Sequence, residues 1–187
     1  MIFDVNEIRK YKEHKVLSEI LSYYKKEYSE NYQGKPIEVL PYKEHKQVYI
    51  TGNRTSFEKY YFDRRKRLFL LQALAMFDDS YLEDLEDLIS AICEEYMWIL
   101  PIHCVNLETK LFDKTEIDLF CSETALYLSE TLYIFKDKLC PEIRSRIITE
   151  LKERIIDNYE SRTFKYETFS SNWASVCACG IGATYLL

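Results

Sequence analysis

Apolar positions recur at helical spacing along most of this 187-residue chain, the signature of amphipathic helices rather than strands. Over residues ~5–30, Val5, Ile8, Tyr11, Val16, Ile20, Leu21, Tyr23 and Tyr24 form a stripe with Lys and Glu between them, and Gly34-Lys35-Pro36 closes it. Residues 37–50 break the pattern. Pro36 and Pro41 sit beside patches of β-formers, Ile37–Leu40 and Gln47–Ile50, so this stretch reads as an extended connector with room for a short strand. A helix over Thr55–Phe77 follows, opening on the capping residues Thr55 and Ser56 and apolar on most faces from Leu68 onward. The next, over ~80–97, alternates Leu82, Leu85, Leu88, Ile89 and Ile92 with acidic residues.

Residues 98–115 are the least regular, with Pro101, His103 and Asn106. Glu116–Phe135 is predicted as a helix with Ile117, Leu119, Phe120, Ala125, Leu126, Leu128, Leu132 and Ile134 inward. Pro141, at a favoured first-turn position, opens another whose stripe is Ile143, Ile147, Ile148, Leu151, Ile155 and Ile156. A polar, aromatic loop, Ser161–Phe169, leads to the last helix. After residue 54, apolar-rich helices thus alternate with amphipathic ones. That alternation predicts an all-α fold of antiparallel helix hairpins, one helix of each pair inward and one facing water. A simple bundle would carry one similar stripe on every helix. The expected organisation is a single helical domain over 1–187, with the first helix and connector in 1–53 and the hairpins in 54–187.

The last helix begins at Ser170-Ser171-Asn172-Trp173 and carries no charge, the final charged residue being Glu167. Ser170 or Ser171 is its N-cap, and Asn172 and Trp173 fall in the first turn. Ala174, Val176, Cys177, Gly180, Ile181, Ala183, Thr184 and Leu187 nearly surround it, so it is expected inside a larger helical assembly. Its uncapped, apolar end predicts either a homodimer through ~173–187 or burial against a missing C-terminal half of the same protein. Two readings of the first turn stay open. Asn172 caps and Trp173 packs, or the turn offers donors to an anionic group.

Composition narrows the classes. A net charge of −6 gives no general attraction to nucleic acid or an anionic membrane. No apolar run approaches the ~20 residues that span a bilayer, and the N-terminus lacks the pattern of a secretory signal, so a cytoplasmic location is expected. The six cysteines are scattered and read as reduced thiols. Cys177 and Cys179 point to different helix faces, and the three His are far apart in sequence, so neither a metal site nor a cofactor is expected. The 16 Tyr and 10 Phe are core material first, although Tyr and Trp lining a groove can stack on sugar rings. The cationic run Arg64-Arg65-Lys66-Arg67 encircles one helical turn. It cannot face a single partner, so most of it is expected in solvent, with one of the four able to pair with a neighbouring Glu.

Four segments resemble, in order, the α-helical domain of the heparinase II/III-like polysaccharide lyases. They are Lys59–Leu68, Ile92–His103, Ile117–Ala125 and the Ser171-Asn172-Trp173-(x)3-Cys177-(x)2-Gly180 helix start. Together they cover roughly residues 54–187. The resemblance implies an incomplete α/α toroid, of which this chain corresponds to the first part. It also implies an acidic polysaccharide as partner and β-elimination at a uronic acid as the reaction of the complete enzyme. Such a reaction needs donors aimed at the carboxylate and the enolate-like state that it becomes, a base for the C5 proton and an acid for the leaving oxygen.

Asn172 matches the family's carboxylate neutraliser, a role that suits an amide because it supplies donors without a competing charge. The family's Tyr and His bases belong to later elements, so none is assigned and the chain is not expected to be catalytic alone. Trp98 is a candidate sugar platform, with Trp173 beside Asn172, and His103 a candidate hydroxyl or carboxylate contact. A packed tryptophan and a backbone-bonded histidine are the alternatives. Asp118 and Glu123 match family positions as sugar-binding residues, against a buried cap or a pair with the Arg64–Arg67 turn. They lie on one helix and do not straddle a bond, which argues against an inverting glycosidase. Two other classes remain: a non-catalytic module binding glycan or protein, and a structural piece of a larger enzyme.

Overall fold

A computed structural model describes residues 5–135, 137–168 and 170–186. Phe169 and Leu187, and the side chain of Val5, lie outside the described residues. The chain is all-α, and among the described residues the extended pairing is a single bridge between Val105 and Phe112. In order the helices are α1 (Val5–Arg9), α2 (Lys15–Asn31), α3 (Tyr42–Thr51), α4 (Thr55–Ala75), α5 (Leu82–Cys93), α6 (Pro101–Cys104), α7 (Leu119–Phe135), α8 (Pro141–Leu151), α9 (Asp157–Ser161) and α10 (Asn172–Tyr185).

The first helix differs from its prediction. Turns at 10–14 split it, and only a narrow face of α2, Leu21 and Tyr28, is buried. Tyr11, Val16, Ile20 and Tyr23 are exposed. α2 is an outer helix packed on α4, so one edge suffices and most of the expected stripe has nothing to cover it. The connector is also different. Only its first part is extended, and residues 42–51 form α3, with Pro41 before the helix and Gly52 in the left-handed conformation (φ 74°) accepting its end. The β-formers Val48 and Ile50 are overridden because His45 and Val48, three apart, bury one face.

α4 and α5 pack on each other as a hairpin, α5 packs on α8, and α7 touches α4, α8 and, most extensively, α10. α4 and α7 are the most buried of these helices, α5 and α8 bury one face each, and α10 lays one face on α7. Leu85, Leu88, Ile89, Ile92 and Cys93 of α5 are all buried, as its pattern predicts. Of the predicted stripe, Ile147 and Leu151 of α8 and Ile155 of the turn after it are buried, four apart, with Glu150 buried beside Leu151, while Ile148 faces solvent, against expectation. A spacing of four drifts around a regular helix, and the wide π-turn at Lys152–Ile156 restores the phase before α9.

The cationic turn of α4 is the largest correction. Arg64, Arg65 and Arg67 are buried, and only Lys66 is solvated, pairing with Glu27. Arg65 grips Glu95 through both terminal nitrogens at 2.7 Å, and Arg64 reaches the same carboxylate at 3.1 Å. Glu95, 5% exposed, lies just beyond α5. Arg65 also covers the Tyr61 ring at 4.0 Å and donates to Thr124 Oγ1. From the other side Arg154 donates to the Cys93 and Glu95 carbonyls and lies 4.7 Å over the Trp98 ring. Arg64, Arg65 and Arg67 face three directions, and only a small part of each is left to solvent.

α10 buries Cys177, Gly180, Ile181 and Thr184 against the rest of the fold. Val176, Tyr185 and Leu186 are exposed, so the helix that the sequence suggests is enclosed all round has one open side. Its closest approach is at Gly180, where a Cβ would stand 2.0 Å from the Ser122 carbonyl oxygen.

Two outcomes test this packing. Gly180→Ala must push α10 off α7 and is expected to cost about 1–3 kcal/mol, whereas Gly182→Ala, with open space around it, should gain about 0.5–1 kcal/mol. Equal effects in urea unfolding would refute the close contact. Glu95→Ala leaves two buried guanidiniums uncompensated and should cost about 3–5 kcal/mol, against about 1 kcal/mol or less for Glu27→Ala at the solvated Lys66 pair.

Candidate functional site

Asp118 precedes α7 and is almost wholly buried. One carboxylate oxygen accepts from Phe120 N at 3.1 Å and Cys121 N at 2.7 Å, which caps α7. The other accepts from Leu100 N at 3.1 Å and meets His103 Nδ1 at 2.7 Å. One side chain therefore starts α7 and fixes α6. With the carboxylate as its partner, Nδ1 is the donor, and Nε2 is left outside that bond. His103 is half-buried, stacked on Phe120 (centroids 6.0 Å apart) and edge-on to Trp173 at 4.9 Å.

Trp173 belongs to the first turn of α10. Ser171 is the N-cap, its Oγ accepting from Trp173 N at 3.1 Å, as the sequence predicts for Ser170 or Ser171. Asn172, beside it, is exposed. The aromatic surface continues through Phe120 to Phe62, 5.3 Å away between centroids and exposed, and Trp173 rests on the buried Tyr166. The structure thus brings together His103, Asp118 and Trp173, with Asn172 next along the chain. α6, the start of α7 and the start of α10 meet there.

Two predicted residues fall elsewhere. Trp98 is 1% exposed, donates its indole N–H to Ile92 O at 2.9 Å and is covered by Arg154. It is a core residue and offers no face to a sugar, because the cation network closes over it. Glu123 takes a bond from Tyr127 one turn on, at 3.2 Å, and pairs with none of the α4 arginines. Asp118 is the buried cap of the two readings open for it, and it is also the partner of His103. Phe120 and Phe62, which complete the surface, carry no distinctive sequence signal. Phe120 lies in an apolar run and Phe62 beside the charged turn.

The thiols nearby are not nucleophiles. Burial, with the Asp118 charge adding to it, pushes Cys104 up to about 12. Burial also pushes Cys177 up to about 11 against a lowering hydrogen bond from Ser122. Tyr61, beneath the patch with its hydroxyl 2.9 Å from Trp98 O, is likewise raised by burial and stays protonated. The cluster can accept through His103, donate through an exposed amide and offer aromatic edges. Among the described residues no group of three or more His, Cys, Asp or Glu is placed to hold a metal ion, and no helix is long and apolar enough to cross a membrane. Two surface grooves, one between α2 and the end of α4 and one beside Arg67, include none of the predicted site residues.

No protein-family model matches the chain, and no curated protein matches it in sequence.

The double duty of Asp118 gives a measurable consequence. Asp118→Ala removes a cap and strands the buried Leu100 N–H, with an expected loss of about 2–4 kcal/mol. Glu123→Ala, which removes one Tyr127 contact, should lose about 1 kcal/mol or less. Chemical denaturation of both variants distinguishes them, and a loss at Glu123 as large as that at Asp118 would mean that the cap is not what fixes α6.

Proposed function

We propose that this chain is a carbohydrate-binding helical domain of the heparinase II/III-like kind, an arc of an incomplete α/α toroid that receives a uronic-acid-containing polysaccharide at the start of α10. One observation carries the reading: Trp173 lies against His103, which Asp118 holds. Two segments of family-like sequence, far apart in the chain, thus meet at one surface, with the exposed Asn172 amide beside them. The α4–α5 hairpin, with α5 packed on α8 and α7 packed on α8 and α10, supports the toroid arc.

In this reading Asn172 donates to the uronate carboxylate, and His103 Nε2 accepts from a ring hydroxyl. The indole edge of Trp173 borders the sugar. Trp98 has no part in binding and supports the site from below. The positions matched to the family include no residue for C5 proton abstraction, so the proposed activity is binding, with elimination belonging to the complete enzyme. That same lack favours a second reading, a module that holds glycan without turning it over.

Titration with heparin-derived and alginate-derived oligosaccharides should show saturable binding. Asn172→Ala should weaken it about tenfold, the loss of one hydrogen bond to a charged group. The ultraviolet absorbance of an unsaturated uronate should not develop. Absence of binding to either polymer, or binding indifferent to Asn172 and His103, would sink the proposal. Product formation that Asn172→Ala abolishes would place a complete lyase site in this chain.

A further inference from the structure

On another face of α4, away from the aromatic patch, a groove of about 430 Å3 opens between α4, the end of α2 and the segment after it. That volume falls in the roughly 300–1,000 Å3 range of small-ligand sites. Five of its lining side chains are cationic (Lys35, Lys59, Arg64, Lys66 and Arg67) against two acidic ones, Glu38 and Asp63. In a protein of net charge −6 this is a local excess of the opposite sign, which draws anions toward a concave surface.

Some of that charge is committed. Arg64 is held by Glu95 and by the Glu38 carbonyl, and Lys66 by Glu27. Asp63 accepts from the Tyr32 hydroxyl at 2.9 Å, and Lys35 Nζ donates to the Glu30 carbonyl at 2.7 Å. Two cations are left under-used. Lys59 is exposed and has no ion-pair partner among the described residues. Arg67 is 7% exposed and meets the Tyr28 hydroxyl, which Asp84 also engages, but its Nε is buried with no hydrogen-bond partner and its one backbone bond, to Lys35 O, is long at 3.4 Å. A guanidinium has five donors, and a buried one left this poorly satisfied costs stability unless something completes it. The Tyr32 ring, with its centroid 5.8 Å from the Arg67 guanidinium carbon, holds that group from one side.

We propose that this groove binds a small ligand bearing an oxyanion, a phosphate, sulfate or carboxylate group. Arg67 is its buried anchor, Lys35 and Lys59 supply the surrounding field, and Tyr60 is the wall along which the ligand's body lies. A planar guanidinium meets an oxyanion through paired hydrogen bonds, which the carbonyl of Lys35 cannot supply. The site shares no residue with the α10 patch, and the inference does not depend on the reading of that patch.

The experiment is calorimetric titration of the full chain with inorganic phosphate, inorganic sulfate and glucuronate at low ionic strength, with hydrogen exchange to locate the protected segment. At least one of the three should bind saturably and protect residues 31–38 and 59–67, and the strongest arm identifies the source of the oxyanion. Arg67→Gln should bind at least about tenfold more weakly, as for the loss of charge-assisted hydrogen bonds. Because Arg67 is buried and its replacement can unsettle the fold, the exposed double variant Lys35→Glu with Lys59→Glu provides the second measurement. It reverses the charge along the groove and should abolish binding with unfolding unchanged. No saturable binding by any probe, protection elsewhere, or affinity unaltered by the double variant would overturn the proposal.

Discussion

The carboxylate of Glu95 is buried between helices, and everything around it is arranged to receive it. An isolated carboxylate in a protein interior costs several kcal/mol even after relaxation, and Arg65 answers with a two-pronged bond while Arg64 closes a third side. Because Glu95 follows directly on α5 and the arginines stand on α4, the pair locks the hairpin of those helices at its open end. Arg154 binds the backbone of the same segment from the α8–α9 side. Four parts of the chain, α4, α5, the segment after it and α8–α9, are thus registered by one acid and three guanidiniums.

That hub sets the position of the candidate site. The segment it pins carries Trp98, packed under Arg154, and then Leu100, whose N–H reaches Asp118. Thr124 accepts from Arg65 and Tyr61 shares contacts with Trp98, Phe120 and Thr124, so the hub is bonded directly to α7. A rigid layer of hydrogen-bonded side chains therefore lies beneath Phe120 and His103. Sites built on such support hold their geometry better than sites on free loops, and the imidazole of His103 and the indole of Trp173 stand on it. The buried Trp98 is part of that support, and the half-buried Trp173 packs against its edge.

α4 serves three environments at once. Tyr61, Arg65 and Leu68 point to the core and the hub, Phe62 to the aromatic patch, and Tyr60, Asp63 and Arg67 to the basic groove. This is why so many charged and aromatic residues fit on a helix that is nonetheless mostly buried. It also explains the absence of a clean amphipathic stripe there: each side meets a different neighbour.

By itself the sequence determined the helical class, most helix positions and the buried face of α5, since spacing, Pro at first turns and Ser at the cap are local signals. Ser171, Leu85, Leu88, Ile92 and Gly52 acted as their local chemistry dictates. Whether a charge meets water or another charge is not local. Arg64, Arg65 and Arg67 look like a solvated turn until α5 ends in Glu95 and α2 ends beside Arg67, and Trp98 looks available until Arg154, more than fifty positions later, lies over it. α3 is similar: the β-formers around Val48 yield because a helix buries His45 and Val48 together. The meeting of His103 with Trp173 was likewise a tertiary decision, made by the carboxylate of Asp118 bonding α6 and α7 at once and by Gly180 letting α10 come close enough to complete the surface.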